Sequence, residues 1–248
     1  MQIHRNANVQ FENWGLIPYQ AAFERQLYYF QQIIDIKLKN RDLPVESQIP
    51  TPNYIFTCEH PHVFTLGRSG KENHLLLNET QLKEQHIEYV ETTRGGDITY
   101  HGPGQLVVYP ILDLEIFFTD IHKYMRLLEE SVILTLSSFD IHSERIQGLT
   151  GVWLRENRSI PTKICAIGVK TSRWVTMHGI GLNVNTDLNY FDHIVPCGIS
   201  DKGITSIQKE IGKSVDMLEV IEIFLGHFSE LFDCKLINLL STVKTPTE

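Results

Sequence analysis

Apolar residues along this chain recur at two different spacings. Between residues 18 and 39, Phe23, Leu27, Phe30, Ile34 and Leu38 fall three or four apart, which is one face of a helix, and Pro18 suits its first turn. The polar stretch 40–53 carries Pro44, Pro50 and Pro52 and reads as a long surface loop. Strand-like runs follow. Residues 54–70 read as two short strands broken at His60 and Pro61, and residues 87–93 and 105–114 as two more, flanking a glycine-rich loop. Helical spacing returns near Asp120, where Ile121, Tyr124 or Met125, Leu128 and Val132 mark a buried face. Three strands are then expected over 151–157, 163–172 and 173–185. A last helix runs from about Ser214, a good N-cap, to Asp233, with Leu218, Ile221, Leu225, Phe228 and Phe232 as its stripe.

Strands with few helices between them imply an α+β fold, a mixed β-sheet with helices packed on it. No boundary interrupts the pattern before about residue 205, so the expectation is one domain over 1–248 with a C-terminal helical segment at about 208–240. The 248 residues suffice for a large core. With 42% hydrophobic and 21% charged residues the composition is that of a globular protein, and a net charge of −8 disfavours nucleic acid as a partner. No run approaches the length of a membrane span, and the first residues lack the apolar core of a secretory signal, so a cytoplasmic protein is expected. Cys58, Cys165, Cys197 and Cys234 are scattered without CxxC spacing, which suits free thiols in a reducing compartment.

Candidate chemistry sits in three places. The first is the loop TTRGGDITYHGPGQ, which begins at Thr92. It lacks the lysine and hydroxyl of a P-loop, and a strand follows it where a dinucleotide fingerprint needs a helix. Glycines let a backbone approach a long thin group closely, so this loop could wall a tunnel for an acyl chain; the alternative is that the glycines only make turns. Thr99 and Tyr100 bring hydroxyls to it and His101 a titratable ring. The second place is TKICAIGVK, with Lys163 in an apolar run. The third is VPCGI, where Cys197 between Pro196 and Gly198 has little covering bulk. A nearby ammonium would stabilise a thiolate, and a desolvated lysine would lose its proton readily, so a Cys–Lys pair could carry an acyl group and then activate an amine. Cys165 is a rival nucleophile, two residues from Lys163 and hence expected on the same strand face. His178, before Gly179, either lines the same pocket or is a core histidine. Glu59, His60 and His62 around a proline do not by themselves make a metal site.

These stretches, together with EHPHVFTLGRSG, resemble the lipoyl(octanoyl) transferase family in the same order, over roughly residues 54–207. The resemblance implies a fold shared with biotin and lipoate protein ligases. It implies transfer of octanoate from octanoyl-acyl carrier protein to a lysine of lipoyl domains, those of 2-oxoacid dehydrogenase complexes and the glycine cleavage H protein, with no ATP or metal cofactor. By matching motif, Cys197 is the acyl-thioester nucleophile and Lys163 tunes it and acts as acid and base. Arg94, Gly95, Gly96, Asp97, Ile98, Thr99, Tyr100 and His101 form one wall of the acyl site. Ala166, Ile167 and Gly168 with Gly179, Ile180 and Gly181 line the remainder. The chain departs from the family pattern at Cys165, where small apolar residues are common, at His62, where proline is, and at Gly181, which often finds alanine.

Acyl carrier proteins are acidic, so a local basic surface is expected, with Arg68, Lys71, Arg94, Arg155, Arg158 and Arg173 as its candidates. Two rival readings are an ATP-dependent lipoate or biotin ligase, separated by its nucleotide requirement, and a non-catalytic acyl-carrier-binding protein, separated by its lack of turnover.

Overall fold

The structure, a computed structural model, describes residues 7–195 and 203–239. It opens on β1 (Ala7–Leu16) and α1 (Tyr19–Asn40), then β2 (Asn53–Glu59), β3 (Val63–Leu66), α2 (Glu79–Glu84), β4 (Glu88–Glu91), β5 (Ile98–His101) and β6 (Gln105–Ile111). The middle holds α3 (Leu114–Phe117), α4 (Ile121–Ser137), β7 (Glu144–Ile146), β8 (Leu149–Leu154), β9 (Thr162–Ser172) and β10 (Val175–Asn183). After a short 3-10 turn at Leu188–His193 come β11 (Gly203–Ile204), α5 (Ile207–Ile211), α6 (Met217–Leu231) and β12 (Cys234–Asn238).

Eight strands form one mixed sheet in the order β12-β1-β2-β6-β10-β9-β8-β7, with β11 pairing β9 beyond the end of β10. A second sheet, β4-β3-β5, stands apart. Strand alternation divides the core in two. Ile55, Leu106 and Val108 face α4 and α6, while Tyr54, Phe56, Val107 and Tyr109 face α1. The small sheet has its own core around Phe64, Ile98 and Tyr100. Among the described residues no helix is long and apolar enough to cross a membrane.

The helices differ in detail from the spacing argument. On α1 the buried face is Tyr19, Ala22, Gln26, Phe30, Ile33 and Ile34, while Leu27 and Leu38 are exposed. The helix is turned because Gln26 is its polar anchor, its Oε1 accepting the His178 N–H at 3.0 Å. Asp120 caps α4 through Lys123 N as expected, with Tyr124, Leu128 and Val132 buried. At α6 the cap is Asp216, not Ser214, and the buried residues are Val220, Ile221, Phe224, Leu225 and Phe228, with Leu218 left 58% exposed. The 208–240 segment is not helical throughout: β12 turns back and joins the sheet beside β1. The β9–β10 hairpin closes on Arg173 and Trp174, both with positive φ (51° and 64°), so a two-residue turn of the kind that usually takes Asn-Gly is built here from two bulky side chains.

Candidate active site

A cavity of about 630 Å³ lies over β9 and β10, roofed by the loop before β5. Its walls exist because backbones meet there without side chains. A Cβ on Gly168 would stand 2.8 Å from Gly95 O and 3.1 Å from Arg94 Cδ. A Cβ on Gly67 would stand 2.2 Å from Gly96 O. The Gly95 N–H donates to Val169 O at 2.9 Å, which stitches the loop to β9. Arg94 is buried and spends its guanidinium inside the loop, donating to Thr65 O, Thr65 Oγ1 and Gly95 O. It is therefore a strut of the roof and not part of a basic surface.

Of the residues singled out in sequence, Arg94, Gly95, Gly96, Asp97, Ile98, Thr99 and His101 line this cavity, as do Ala166, Ile167, Gly168, His178, Gly179, Ile180 and Gly181. Tyr100 does not. The alternation of β5 sends its side chain into the small sheet's core, stacked on Tyr190 at 4.9 Å, and its hydroxyl meets His62 Nδ1 at 2.8 Å. His62 in turn stacks on Tyr190, and His60 points inward, so Glu59, His60 and His62 do not converge as metal ligands would. Among the described residues no group of three His, Cys, Asp or Glu side chains is placed to hold a metal ion.

Three histidines are buried here, His101 and His178 lining the cavity and His60 packed against His101 and Tyr109, and their partners fix their chemistry. His60 Nδ1 faces Ile17 O at 2.7 Å; a carbonyl only accepts, so Nδ1 carries the proton and Nε2 accepts from the Tyr109 hydroxyl at 2.7 Å. His101 Nδ1 donates to Gln105 Oε1 at 2.6 Å. Gln105 Nε2 donates to Asn183 Oδ1, and Asn183 Nδ2 donates to Thr205 O, so a hydrogen-bonded chain runs from His101 to the end of β11. His178 has φ of +59°, which turns its ring out of the strand alternation and onto the cavity side, stacked on Phe23. Strain of this kind in a non-glycine residue costs of order 1 kcal/mol or more and collects at functional sites. Its Nε2 lies 3.3 Å from Thr93 Oγ1. Desolvation pulls His60 down to about 4 and His101 and His178 to about 3, so all three are neutral at pH 7. Tyr19, Gln105, Asn183 and Tyr109 also line the cavity and went unremarked in sequence; only Gln105, directly after the glycine loop, carried any local signal.

Lys163 lines the same cavity, its Nζ 4.6 Å from the centre of the Trp153 ring. The strand register explains why Cys165 does not accompany it. On β8, Trp153 pairs with Lys163 but Val152 pairs with Cys165, so β9 carries one extra residue, a β-bulge. The bulge reverses the alternation. Lys163, Ala166 and Gly168 face the cavity, while Cys165 is fully buried in the core under α4 and α6. Desolvation pushes its thiol far up, which leaves it un-ionised and unreactive. The expectation that Lys163 and Cys165 share a face is thus corrected. Gly151 lets the β8 and β9 backbones meet beside the lysine: at φ +111°, a Cβ there would lie 2.5 Å from Cys165 O, while Lys163 Cε, at 3.6 Å, would be in ordinary contact with it. Cys197 lies outside the described residues. The described chain stops at Val195, whose N–H donates to His74 O, and resumes at Gly203, with Gly203 and Ile204 paired to Thr162 and Lys163.

The basic candidates separate in the same way. Arg155 pairs with Glu144 and Arg158 with Glu210, while Arg68, Lys71 and Arg173 are exposed.

Comparison with known proteins places this arrangement. The model of the lipoyl protein ligase A/B catalytic domain matches residues 26–229. The octanoyltransferase of Cytophaga hutchinsonii is 53% identical over 97% of this chain and 100% of its own length. That of Bacteroides fragilis is 52% identical over 85% of this chain and 91% of its own. Among solved structures, a bi-partite lipoate protein ligase from Thermoplasma acidophilum superposes with a TM-score of 0.67, covering 98% of this chain and 88% of that one at 16% identity. A lipoate-protein ligase A bound with ATP gives 0.63, covering 98% and 90%. Those two likenesses establish the fold. On the match of the catalytic-domain model and the identity to the octanoyltransferases, the chain belongs to the lipoyl(octanoyl) transferase family and is an acyltransferase.

Proposed function

We propose that the chain transfers an octanoyl group from octanoyl-acyl carrier protein to one lysine of a lipoyl domain, through a thioester on Cys197. The observation that carries this reading is the pairing of β11 with β9 at Lys163. Five residues lie between Cys197 and Gly203, so six backbone steps with a reach of at most about 21 Å form a tether that permits the sulfur to meet the lysine and the cavity. The names of the relatives supply the acyl group, and the glycine-walled cavity is a channel for a thin apolar chain.

In this mechanism the Cys197 thiolate attacks the octanoyl carbonyl and the pantetheine sulfur leaves, taking up the proton of the Lys163 ammonium, which is left as the neutral amine. One thioester replaces another, so the exchange is near thermoneutral and needs no nucleotide. The acceptor lysine then loses a proton to neutral Lys163, attacks the acyl-cysteine, and expels the sulfur as thiolate. Amide formation from a thioester is downhill and drives the cycle. Lys163 in its ammonium form stabilises the thiolate at the start of the cycle and at its end. His60, His101 and His178, being neutral, add no charge to a channel that must take up hydrocarbon.

The donor is acidic, and the exposed Arg68, Lys71 and Arg173 are the cations proposed to meet it, so donor affinity should weaken as salt rises. The acceptors proposed are the lipoyl domains of 2-oxoacid dehydrogenase complexes and the glycine cleavage H protein. The test is intact-mass analysis of the protein with octanoyl carrier, with and without a lipoyl domain. The expected result is an octanoyl adduct on the enzyme, absent in Cys197→Ser, that moves to the acceptor without ATP. An adduct on another cysteine removes the nucleophile assignment. A strict ATP requirement replaces the reading with that of a ligase, the activity named for the structures of the same fold.

A further inference from the structure

A buried carboxylate stands behind the lysine. Glu129 of α4 has a fully buried side chain, and its oxygens are engaged from three directions. Oε1 accepts the Gly151 N–H at 3.1 Å. Oε2 meets Arg126 Nη1 at 2.6 Å and Arg145 Nε at 3.2 Å. Arg145 also pairs with Glu130. One side chain therefore ties α4 to β7 and to the first residues of β8, beside the bulge where Lys163 leaves β9.

Gly151 is the link. It lies one residue before the first strand pair of the bulge, and Glu129 supplies the acceptor for its N–H. Its φ of +111° and missing Cβ let it close on Cys165 O of β9, its Cβ position lies 3.6 Å from Lys163 Cε, and Trp153, two residues on, gives the ring beneath Nζ. A shift of Gly151 would move both surfaces that aim the lysine.

We infer that Glu129 is a positioning residue for Lys163, holding the Gly151–Trp153 corner that aims the amine and supplying the negative charge behind it. The inference rests on the proposed role of Lys163 as the base. Burial raises the Glu129 carboxyl above its ordinary value, and the Gly151 N–H and the two guanidinium groups oppose that rise. Arg126 and Glu130 from α4 and Arg145 from β7 surround Glu129, and the charges of Glu129 and Lys163 both act on Cys165. Cys165 of β9 is un-ionised, and β8 contributes the Trp153 ring. Neutralising Glu129 leaves Arg126 and Arg145 facing the single carboxylate of Glu130, a net gain of positive charge that disfavours the Lys163 ammonium.

The experiment compares wild type, Glu129→Gln, Glu129→Asp and Lys163→Ala, each checked for native circular dichroism, in single-turnover octanoyl transfer to a lipoyl domain between pH 6 and 9. For Glu129→Gln we expect the rate to fall at least about tenfold and the rising limb of the profile to move about one pH unit down, the size expected for one lost neighbouring charge. Glu129→Asp keeps the charge with a shorter reach, so its rate should fall while its limb stays within a few tenths of wild type. Should Glu129→Gln not fold, a limb displaced in Glu129→Asp as far as one pH unit would overturn the assigned charge role. If Lys163→Ala transfers normally, the reading of Lys163 as base fails whatever Glu129 does. If Lys163→Ala is inactive while Glu129→Gln keeps the wild-type rate and limb, the role given to Glu129 alone is wrong.

Discussion

Acid should unfold this protein through its histidines. His60, His101 and His178 are 0%, 7% and 1% exposed, and their native values of about 4, 3 and 3 lie far below the unfolded value near 6.5. Between those limits the unfolded chain binds protons that the native state refuses. Stability is therefore complete above about pH 6.5 and drains as the pH falls toward 4. At pH 5 an unfolded histidine has taken up almost one proton and a native one almost none, a loss of about 2 kcal/mol each, or about 5 to 6 kcal/mol for the three. That is comparable with the entire stability of many domains. Ordinary carboxylates titrate below most of this window. The assay is urea unfolding followed by tryptophan fluorescence at pH 7.5, 6.5, 5.5 and 5.0. Replacing His101 by Gln, which keeps a polar side chain beside Gln105, should lower the slope by about one proton, or about 1.4 kcal/mol per pH unit. A total loss at pH 5 no greater than that of one histidine would refute the reasoning.

Cys165→Ala should keep full acyl-adduct formation and cost only about 1 kcal/mol in stability, since the thiol is packed in the core; loss of the adduct with the fold intact would reinstate it as a nucleophile. Gly168→Ala drives a methyl group against Gly95 O and Arg94 Cδ, so the roof must move; stability should drop by about 1 to 3 kcal/mol and the KM for octanoyl carrier should rise, and unchanged values for both would contradict the close approach. Asp216→Ala should lower thermal stability by about 1 kcal/mol and Ser214→Ala should leave it unchanged, because only Asp216 accepts from the first turn of α6.

The long amphipathic elements were legible in the sequence because their burial repeats at a fixed spacing. Asp120 announced α4, the proline-broken run at residue 60 separated β2 from β3, and the glycine loop marked the cavity wall. The rest was hidden for particular reasons. In β1, pairing with β2 and β12 decides the strand, while a run such as VQFENWG has little alternation of its own. Strand period put Lys163 and Cys165 on one face, and a single extra residue in β9, visible only against β8, put them on opposite faces. The same period made Tyr100 a cavity residue only if β5 were ignored as a strand. Gln26 and Asn183 look like ordinary surface amides along the chain; their burial comes from partners far away in sequence, His178 and Thr205. Arg94 read as a surface cation because nothing local shows that Thr65 waits for its guanidinium.

The seating of β12 against β1 has a bearing on how the molecule is made. On the ribosome, β1 emerges ahead of every other described strand, while β12, the neighbour that covers its outer side, emerges after all of them. Throughout synthesis one margin of the sheet stays open, with its amide and carbonyl groups able to recruit a neighbouring nascent chain. A ribosome stalled just short of Cys234 would therefore hold a protein with its cavity walls already synthesised yet sticky along one side. The yield of properly assembled enzyme should depend on how quickly that final stretch is released.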